Sequence, residues 1–200
     1  MSSVILNGDT SGAITLATPT VAGTNTITLP AVTGTAVVAG QNSAITAATA
    51  QASTSGTSID FTSIPSWVKR VTVMFNGVSL SGSAYIRIQA GVSGTPTTTG
   101  YSSYSSLIAA ASAVNSIAST SGIDLFGTNA SYTISGALRF QNVTGNVWVI
   151  EGVTSSPVSG TYTQMSAGSI TLSGTLGMIR ITTSNGTDTF DAGSINILYE

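Results

Sequence analysis

Hydrophobic and polar residues alternate in many short runs between residue 57 and the last residue of the chain. In one run Val71, Val73 and Phe75 fall on the same face, which is the pattern of a strand with one buried side. Strands at this spacing, with little sign of helix, predict an all-β fold in which residues 57–200 form an antiparallel, jelly-roll-like β-sandwich. The clearest predicted strands are 58–62, 70–75, 84–90, 123–126, 137–141, 147–151, 168–172, 177–182 and 194–199.

Two Asn-Gly dipeptides and two polar stretches mark predicted connections between these strands. Asn76-Gly77 and Asn185-Gly186 favour tight hairpin turns, because both central positions of a type I′ turn need a positive φ. Residues 93–106 and 153–167 are the gaps richest in small polar residues, and we expect them to be long exposed loops.

Residues 1–40 differ from the rest of the chain, because a short alternation of apolar residues and Thr occurs there twice, thirteen residues apart. Strands this short do not bury a face alone, since isolated hairpins are marginal in water. We therefore predict an attachment segment over residues 1–40 that pairs with sibling chains or with another subunit. The apolar residues of its short strands are Ile14, Leu16, Ile27, Leu29 and Val37.

Residues 41–56 are rich in Ala, Ser, Thr and Gln and lack strong β patterning. The part from 42 to 52 fits either a short helix or an extended linker, and the pattern does not separate the two. We predict that 41–56 is a linker between the attachment segment and the sandwich.

The chain carries few charges, because only 6% of its residues are charged, against about 25% in ordinary soluble domains. Five basic and seven acidic residues give a net charge of −2, while Ser and Thr make up roughly a third of the chain. Such a surface suits packing against other subunits. Five cations are too few for a nucleic-acid interface, and no stretch approaches the roughly 20 apolar residues of a membrane helix.

The absence of Cys and His excludes several kinds of chemistry. Disulfides and thiolate metal sites need Cys, and His is the most frequent general base and zinc ligand. No acidic residue lies in an acid/base motif; the candidates besides Asp9 are Asp60, Asp124, Glu151, Asp188, Asp191 and Glu200. We predict a protein that is not an enzyme and has no cofactor.

Asp188 and Asp191, together with Asn185 and Asp124, offer oxygen atoms of the kind that bind calcium. The segment lacks the alternating acidic ligands of an EF-hand. An Asp in a turn also accepts hydrogen bonds from backbone amides. We assign no metal site, and the sequence leaves calcium open.

The aromatic residues divide into two groups. Trp67 and Trp148 lie in or beside predicted strands, and we expect both to be buried. Tyr101 and Tyr104 lie in the predicted loop, where Tyr and Ser supply contact area and adaptable hydrogen bonds. We predict that this loop contacts a host surface glycan or a neighbouring subunit.

Four segments carry a resemblance to bacteriophage tail fibres and other virion surface proteins. They are 11–16 (SGAITL), 21–35 (VAGTNTITLPAVTGT), 61–73 (FTSIPSWVKRVTV) and 180–200. The resemblance implies a virion structural protein that is assembled in the host cytoplasm, is exposed on the particle and forms a homo-oligomer, which we expect to be a trimer.

Three functions remain open after the sequence analysis. The first is a short tail fibre or receptor-binding subunit that is anchored to other virion proteins through residues 1–40. The second is a decoration protein that stabilises the capsid. The third is a free lectin-like adhesin, which leaves residues 1–40 without a task.

Overall fold

A computed structural model describes residues 3–7, 11, 13–17, 45–109, 114–127, 129–156 and 162–200. The chain divides into two compact units, Met1–Ala36 and Val37–Glu200. The described part of the chain contains strands but no helix. It therefore has no helix that is long and apolar enough to span a membrane.

In the first unit, strand β1 (Ser3–Asn7) pairs antiparallel with strand β2 (Ala13–Ala17). Strand β2 contains the first of the two repeated alternations, so that alternation is a strand as predicted. Ile14 lies opposite Leu6, and Leu16 lies opposite Val4. The second alternation, with Ile27 and Leu29, and the short strand with Val37 lie outside the described residues.

The second unit is a sandwich of two antiparallel sheets, which confirms the predicted fold class. The large sheet has nine strands. Seven of them follow one another in the order β10 (Asn115–Ser119), β9 (Ser102–Ala109), β14 (Tyr162–Thr171), β13 (Val147–Ser156), β12 (Ile134–Thr144), β6 (Arg70–Leu80) and β16 (Phe190–Tyr199). The two short strands β3 (Thr46–Ala47) and β4 (Gln51–Ala52) both pair with the free edge of β16. The small sheet has the order β11 (Ile123–Leu125), β7 (Ile86–Val92), β15 (Leu176–Thr183) and β5 (Ser58–Thr62), with β8 (Thr95–Pro96) beside β7. The jelly-roll-like strand order and the trimer remain predictions.

The main core fills the space between the two sheets. Val71, Val73 and Phe75 point into it, so the face predicted for this strand is confirmed. Ile88 of the small sheet and Phe140 of the large sheet are also fully buried. These β-branched and aromatic side chains favour the extended backbone and supply most of the apolar contact between the sheets.

The two tryptophans are buried to different extents. Trp148 is buried in the core, whereas its neighbour Val149 lies on the opposite face of β13 and is exposed. Trp67 is only partly buried and packs against Tyr199, with ring centroids 6.0 Å apart. Burial is therefore confirmed in full for Trp148 and in part for Trp67.

The described part of the predicted linker belongs to the sandwich. Strands β3 and β4 pair with β16, so this part is extended rather than helical. Ser53 is fully buried, its amide donates to the Gly193 carbonyl at 3.0 Å, and its hydroxyl donates to the Ala192 carbonyl at 2.7 Å. Its composition gave no sign of this pairing because the partner strand lies at the other end of the chain.

The two Asn-Gly dipeptides have different structures. Asn185-Gly186 lies in a turn, as predicted, but only Gly186 has a positive φ, so the turn is not type I′. Asn76-Gly77 is not a turn, because it forms a bulge in the middle of β6. The register of β6 shifts there against both neighbouring strands, and Gly77 has a φ of 63°.

Half of the predicted loop 93–106 and most of the predicted loop 153–167 are strand. Strand β9 takes up the second part of residues 93–106, and β13 and β14 take up most of residues 153–167. Small polar residues misled the prediction because in these strands they point into the sandwich, where hydroxyl and amide groups hydrogen-bond with each other and with the backbone.

Candidate interaction surface

The side of the large sheet that faces away from the small sheet carries exposed apolar side chains on three adjacent strands. They are Tyr104 and Ile108 of β9, Met165 of β14, and Val149 and Val153 of β13, which together we name the apolar patch. Met165 lies directly opposite Val153, so the patch is continuous between these two strands. Monomeric proteins rarely leave contiguous apolar patches uncovered, and such a patch typically marks an interaction site.

The inward side of the same three strands is mixed, with polar side chains among apolar ones; its buried apolar residues are Leu107, Trp148, Ile150, Tyr162 and Ile170. Ser105, Gln164 and Thr154 are buried there, and the Ser105 hydroxyl donates to the hydroxyl of Ser166 at 2.8 Å. The Gln164 side-chain oxygen accepts the N–H of Phe126 at 2.8 Å. An antiparallel sheet with one solvated face normally has apolar residues inside and polar residues outside. Around Ser105, Gln164 and Thr154, polar side chains therefore occupy buried positions while apolar side chains of the same strands are exposed.

Beside the apolar patch, the outer face of the large sheet has a shallow depression with polar walls, which we name the polar basin. Its volume is about 330 Å³, and its walls include Arg70, Arg139, Glu151 and Glu200. Arg139 and Glu151 are cross-strand neighbours whose charged atoms are 3.9 Å apart. Arg70 forms an ion pair with Glu200. The charges of the basin therefore balance in pairs.

The outer face of the small sheet carries two further ion pairs, each between residues directly opposite on neighbouring strands. Arg180 binds both carboxylate oxygens of Asp60, at 2.7 and 2.6 Å. Arg87 binds both oxygens of Asp124, at 2.7 and 2.8 Å. These hydrogen bonds raise the pKa of each arginine although burial opposes the charge. Bidentate pairs of this kind are the strongest ion pairs that side chains form.

The fifth cation, Lys69, lies 3.5 Å from the side-chain oxygen of Asn142. All five cationic side chains of the chain thus have an acceptor nearby, and four of the six candidate acids are held by arginines. These pairings leave little unpaired charge on the surface to attract a charged partner.

The two remaining acids hold turns and strands together. The Asp188 carboxylate accepts the N–H of Ala84 at 2.8 Å, and Asp191 accepts the hydroxyl of Ser79. The hydrogen bond from the side chain of Asn185, followed by the bond from Ala84, lowers the pKa of Asp188. Among the described residues no three acids lie together in a way that would hold a metal ion. Asp188 has the capping role that was the alternative to calcium.

Tyr101 and Tyr104 do not form one contact site, and the prediction for Tyr101 is wrong. Tyr101 is 3% exposed, and its hydroxyl accepts the Ala90 N–H at 2.7 Å within the core. Burial raises the pKa of Tyr101 to about 12. Tyr104 is 54% exposed and donates to the Ser116 hydroxyl at 2.9 Å. In an extended chain, residues three apart point to opposite faces, so only Tyr104 reaches the surface.

Sequence reasoning missed four of the five residues of the apolar patch: Ile108, Val149, Val153 and Met165. In β14 the residues from Tyr162 to Thr171 alternate between buried and exposed over most of their length, so a strand signal was present. The signal was weak because Gln164 and Ser166 occupy two of the buried positions, between Tyr162 and Ile170. Comparisons of the chain with protein-family models, with curated proteins and with solved structures found no match.

Proposed function

We propose that this chain is a non-enzymatic structural protein on the outside of a bacteriophage virion, a short tail fibre or receptor-binding subunit attached through residues 1–40. The apolar patch on β9, β14 and β13 is the observation that carries the proposal. A sheet that leaves Tyr104, Met165 and Val153 exposed on its outer face is suited to contact with another protein surface that covers them.

The apolar patch would contribute a modest free energy to association. Ile108, Val153 and Met165 each have about half of their side chain exposed. Covering the exposed halves of these three side chains would contribute roughly 2–4 kcal/mol before entropic costs, at the usual value for burial of apolar side chains. One such patch does not hold a monomer on a particle alone, but repeated contacts between copies add up in an oligomer.

The charge pattern also favours subunit packing over recognition of a charged partner. Each arginine faces an acidic residue within its own chain. A surface of this kind is brought into contact with a neighbour without the desolvation of unpaired charges. Close packing of many uncharged surfaces is what a virion exterior requires.

The first unit supports the role of residues 1–40 as an attachment segment. The strands described in it are β1 and β2, which pair only with each other. A two-stranded hairpin alone is marginally stable in water. Pairing with a strand of a sibling chain or of another virion protein would supply the missing neighbour.

The test is to place a charge inside and outside the apolar patch. Met165→Glu puts a carboxylate in the patch, and the control Thr62→Glu puts the same charge at an exposed position of β5 in the small sheet, which carries no patch residue. We expect both variants to keep the urea midpoint of the unmodified chain, and Met165→Glu alone to lose incorporation into particles, measured by quantitative mass spectrometry of purified virions. Equal incorporation of both variants would refute the role of the patch.

Position in the particle separates the open functions. A receptor-binding subunit lies on the tail, and the purified chain competes with the phage for host cells. A decoration protein lies on the head in high copy number, and heads without it burst more easily. Monomeric sugar binding by a chain that is absent from particles would favour the lectin. Tyr104→Ala, which changes an exposed side chain, tests whether this face contacts host glycan.

A further inference from the structure

The chain contains three Asn-Gly dipeptides, and the structure places two of them in contrasting surroundings. Asn185-Gly186 lies in the turn between β15 and β16, where both residues are exposed. Asn76-Gly77 lies within β6, which is paired on both sides. Gly8, of the third dipeptide, is outside the described residues. Asn-Gly is the dipeptide most prone to lose its side-chain amide, because Gly has no Cβ to hinder attack by its backbone nitrogen.

The turn around Asn185 is arranged to assist that reaction. The side-chain oxygen of Asn185 accepts the N–H groups of Thr187 and Asp188, each at 3.0 Å. When a nucleophile attacks the amide carbon, this oxygen gains negative charge, and two N–H donors already aimed at it stabilise that charge. No atom lies within 4 Å of the position of a Cβ on Gly186 or on Gly77, so crowding around the glycine does not distinguish the two dipeptides.

Asn76 differs in the setting of its backbone. The N–H of Gly77 donates to the hydroxyl of Ser135 at 3.0 Å, and strands β12 and β16 hold the backbone on either side. The N–H of Gly186 is also engaged, since it donates to the Thr183 carbonyl at 3.3 Å, but only the strand around Gly77 cannot rearrange without breaking its pairing on both sides. The same dipeptide is therefore protected at one place and open to reaction at the other.

We infer that Asn185 is a site of spontaneous deamidation that changes the link between two turns at one end of the sandwich. The backbone nitrogen of Gly186 loses its proton to hydroxide and forms a bond to Cγ of Asn185. The bond from Cγ to the side-chain nitrogen breaks, and this nitrogen takes one proton from water, which regenerates hydroxide, and leaves as ammonia. Water then opens the cyclic imide to aspartate or isoaspartate, so one water is consumed and no oxidant is needed.

The product acts on the neighbouring carboxylate. Asp188 receives a hydrogen bond from the side chain of Asn185 and another from the N–H of Ala84, at 2.8 Å. The carboxylate also lies directly over Gly82, where a Cβ would come within 2.3 Å of it. Asp188 thereby connects the turn after β15 to the segment between β6 and β7. Deamidation replaces an N–H donor with a second carboxylate, and like charges then weaken this connection.

Timed digestion of the unmodified chain tests the reaction. After incubation in mildly alkaline buffer, cleavage after Arg70, Arg87 and Arg180 gives a fragment 71–87 with Asn76 and a fragment 181–200 with Asn185. Tandem mass spectrometry separates Asn185 from Asn196 in the second fragment. We expect deamidation of Asn185 to be at least about tenfold faster than deamidation of Asn76. Equal rates, or an unchanged fragment 181–200, would overturn the inference.

A pair of variants tests the structural consequence. Asn185→Asp mimics the product, and Asn129→Asp adds the same charge in another exposed turn, where Asn129 accepts the N–H of Ser131 at 3.0 Å. Hydrogen exchange of the Ala84 amide should become faster in Asn185→Asp and stay unchanged in Asn129→Asp. If the Ala84 amide exchanges equally in both variants and in the unmodified chain, deamidation does not alter the link.

Discussion

Substitution of Tyr101 by Phe removes a single oxygen atom from the core and tests why this tyrosine is buried. The Tyr101 hydroxyl accepts the Ala90 N–H at 2.7 Å and donates to the Ala90 carbonyl at 3.3 Å. Phe keeps the ring and its packing, so the change leaves almost no cavity. The Ala90 carbonyl keeps a hydrogen bond from the N–H of Thr97, at 2.8 Å. The Ala90 N–H, which is fully buried, loses its acceptor.

The expected cost follows from that lost acceptor. A buried N–H group left without a partner costs roughly 1–3 kcal/mol, so Tyr101→Phe should lower the free energy of unfolding by that amount. Urea unfolding followed by the fluorescence of Trp67 and Trp148 measures the change. The midpoint should fall while the slope with urea stays constant, because the surface exposed on unfolding is the same.

Tyr104→Phe is the matched control. Its hydroxyl contacts the exposed Ser116 hydroxyl, and water replaces that bond, so the free energy of unfolding should change by less than about 0.5 kcal/mol. The reasoning fails if the two variants lose equal stability or if Tyr101→Phe unfolds at the same urea concentration as the unmodified chain. Either result would mean that the two tyrosines lie in similar surroundings.

Three further predictions concern the core. Burial raises the pKa of Tyr101 and of Tyr162 to about 12, whereas a tyrosine in the unfolded chain titrates near 10. The stability that these two tyrosines contribute is therefore complete below about pH 10 and is lost as the pH rises through 12. Urea titrations across this range should show the loss, and Tyr162→Phe should make it smaller. The Thr154 hydroxyl has no hydrogen-bond partner among the described residues, so Thr154→Val should be as stable as the unmodified chain, or more stable, in thermal unfolding. Ser105→Ala, in contrast, breaks a buried hydrogen bond and should cost about 1 kcal/mol. Gly152→Ala would place a Cβ 2.3 Å from the Ala137 carbonyl oxygen and should cost about 1–3 kcal/mol by the same measurement; an unchanged melting temperature would contradict this.

Apolar alternation was enough to predict most of the sandwich. Strand β5 coincides with the prediction, and each of the other eight predicted strands overlaps an observed one. The buried face of β6 also followed from Val71, Val73 and Phe75, because a period of two places them on one side of an extended chain. These features depend on residues close together in sequence.

The candidate surface could be predicted only in part. Tyr104 was selected correctly as exposed, but Tyr101 was placed beside it because both were assigned to a loop. In a loop, residues three apart can share a surface; in a strand they cannot. The sequence pattern did not show that residues 102–109 form a strand that pairs with β14 and β10. Both partner strands come later in the chain, and β14 is far from β9 in sequence.

The sequence alone determined the all-β class, the strands with an apolar inner face and the scarcity of free charge. Only the tertiary structure decided which side of β9, β14 and β13 faces inward, which arginine meets which acid, and that residues 46–52 complete the large sheet. Alternation shows which side chains share a face of a strand. It does not show which face is buried when hydroxyl and amide groups, such as those of Ser105 and Gln164, share the inner face with apolar side chains. Pairing with distant strands settles that, because a polar inner face is stable only where other strands supply its hydrogen-bond partners.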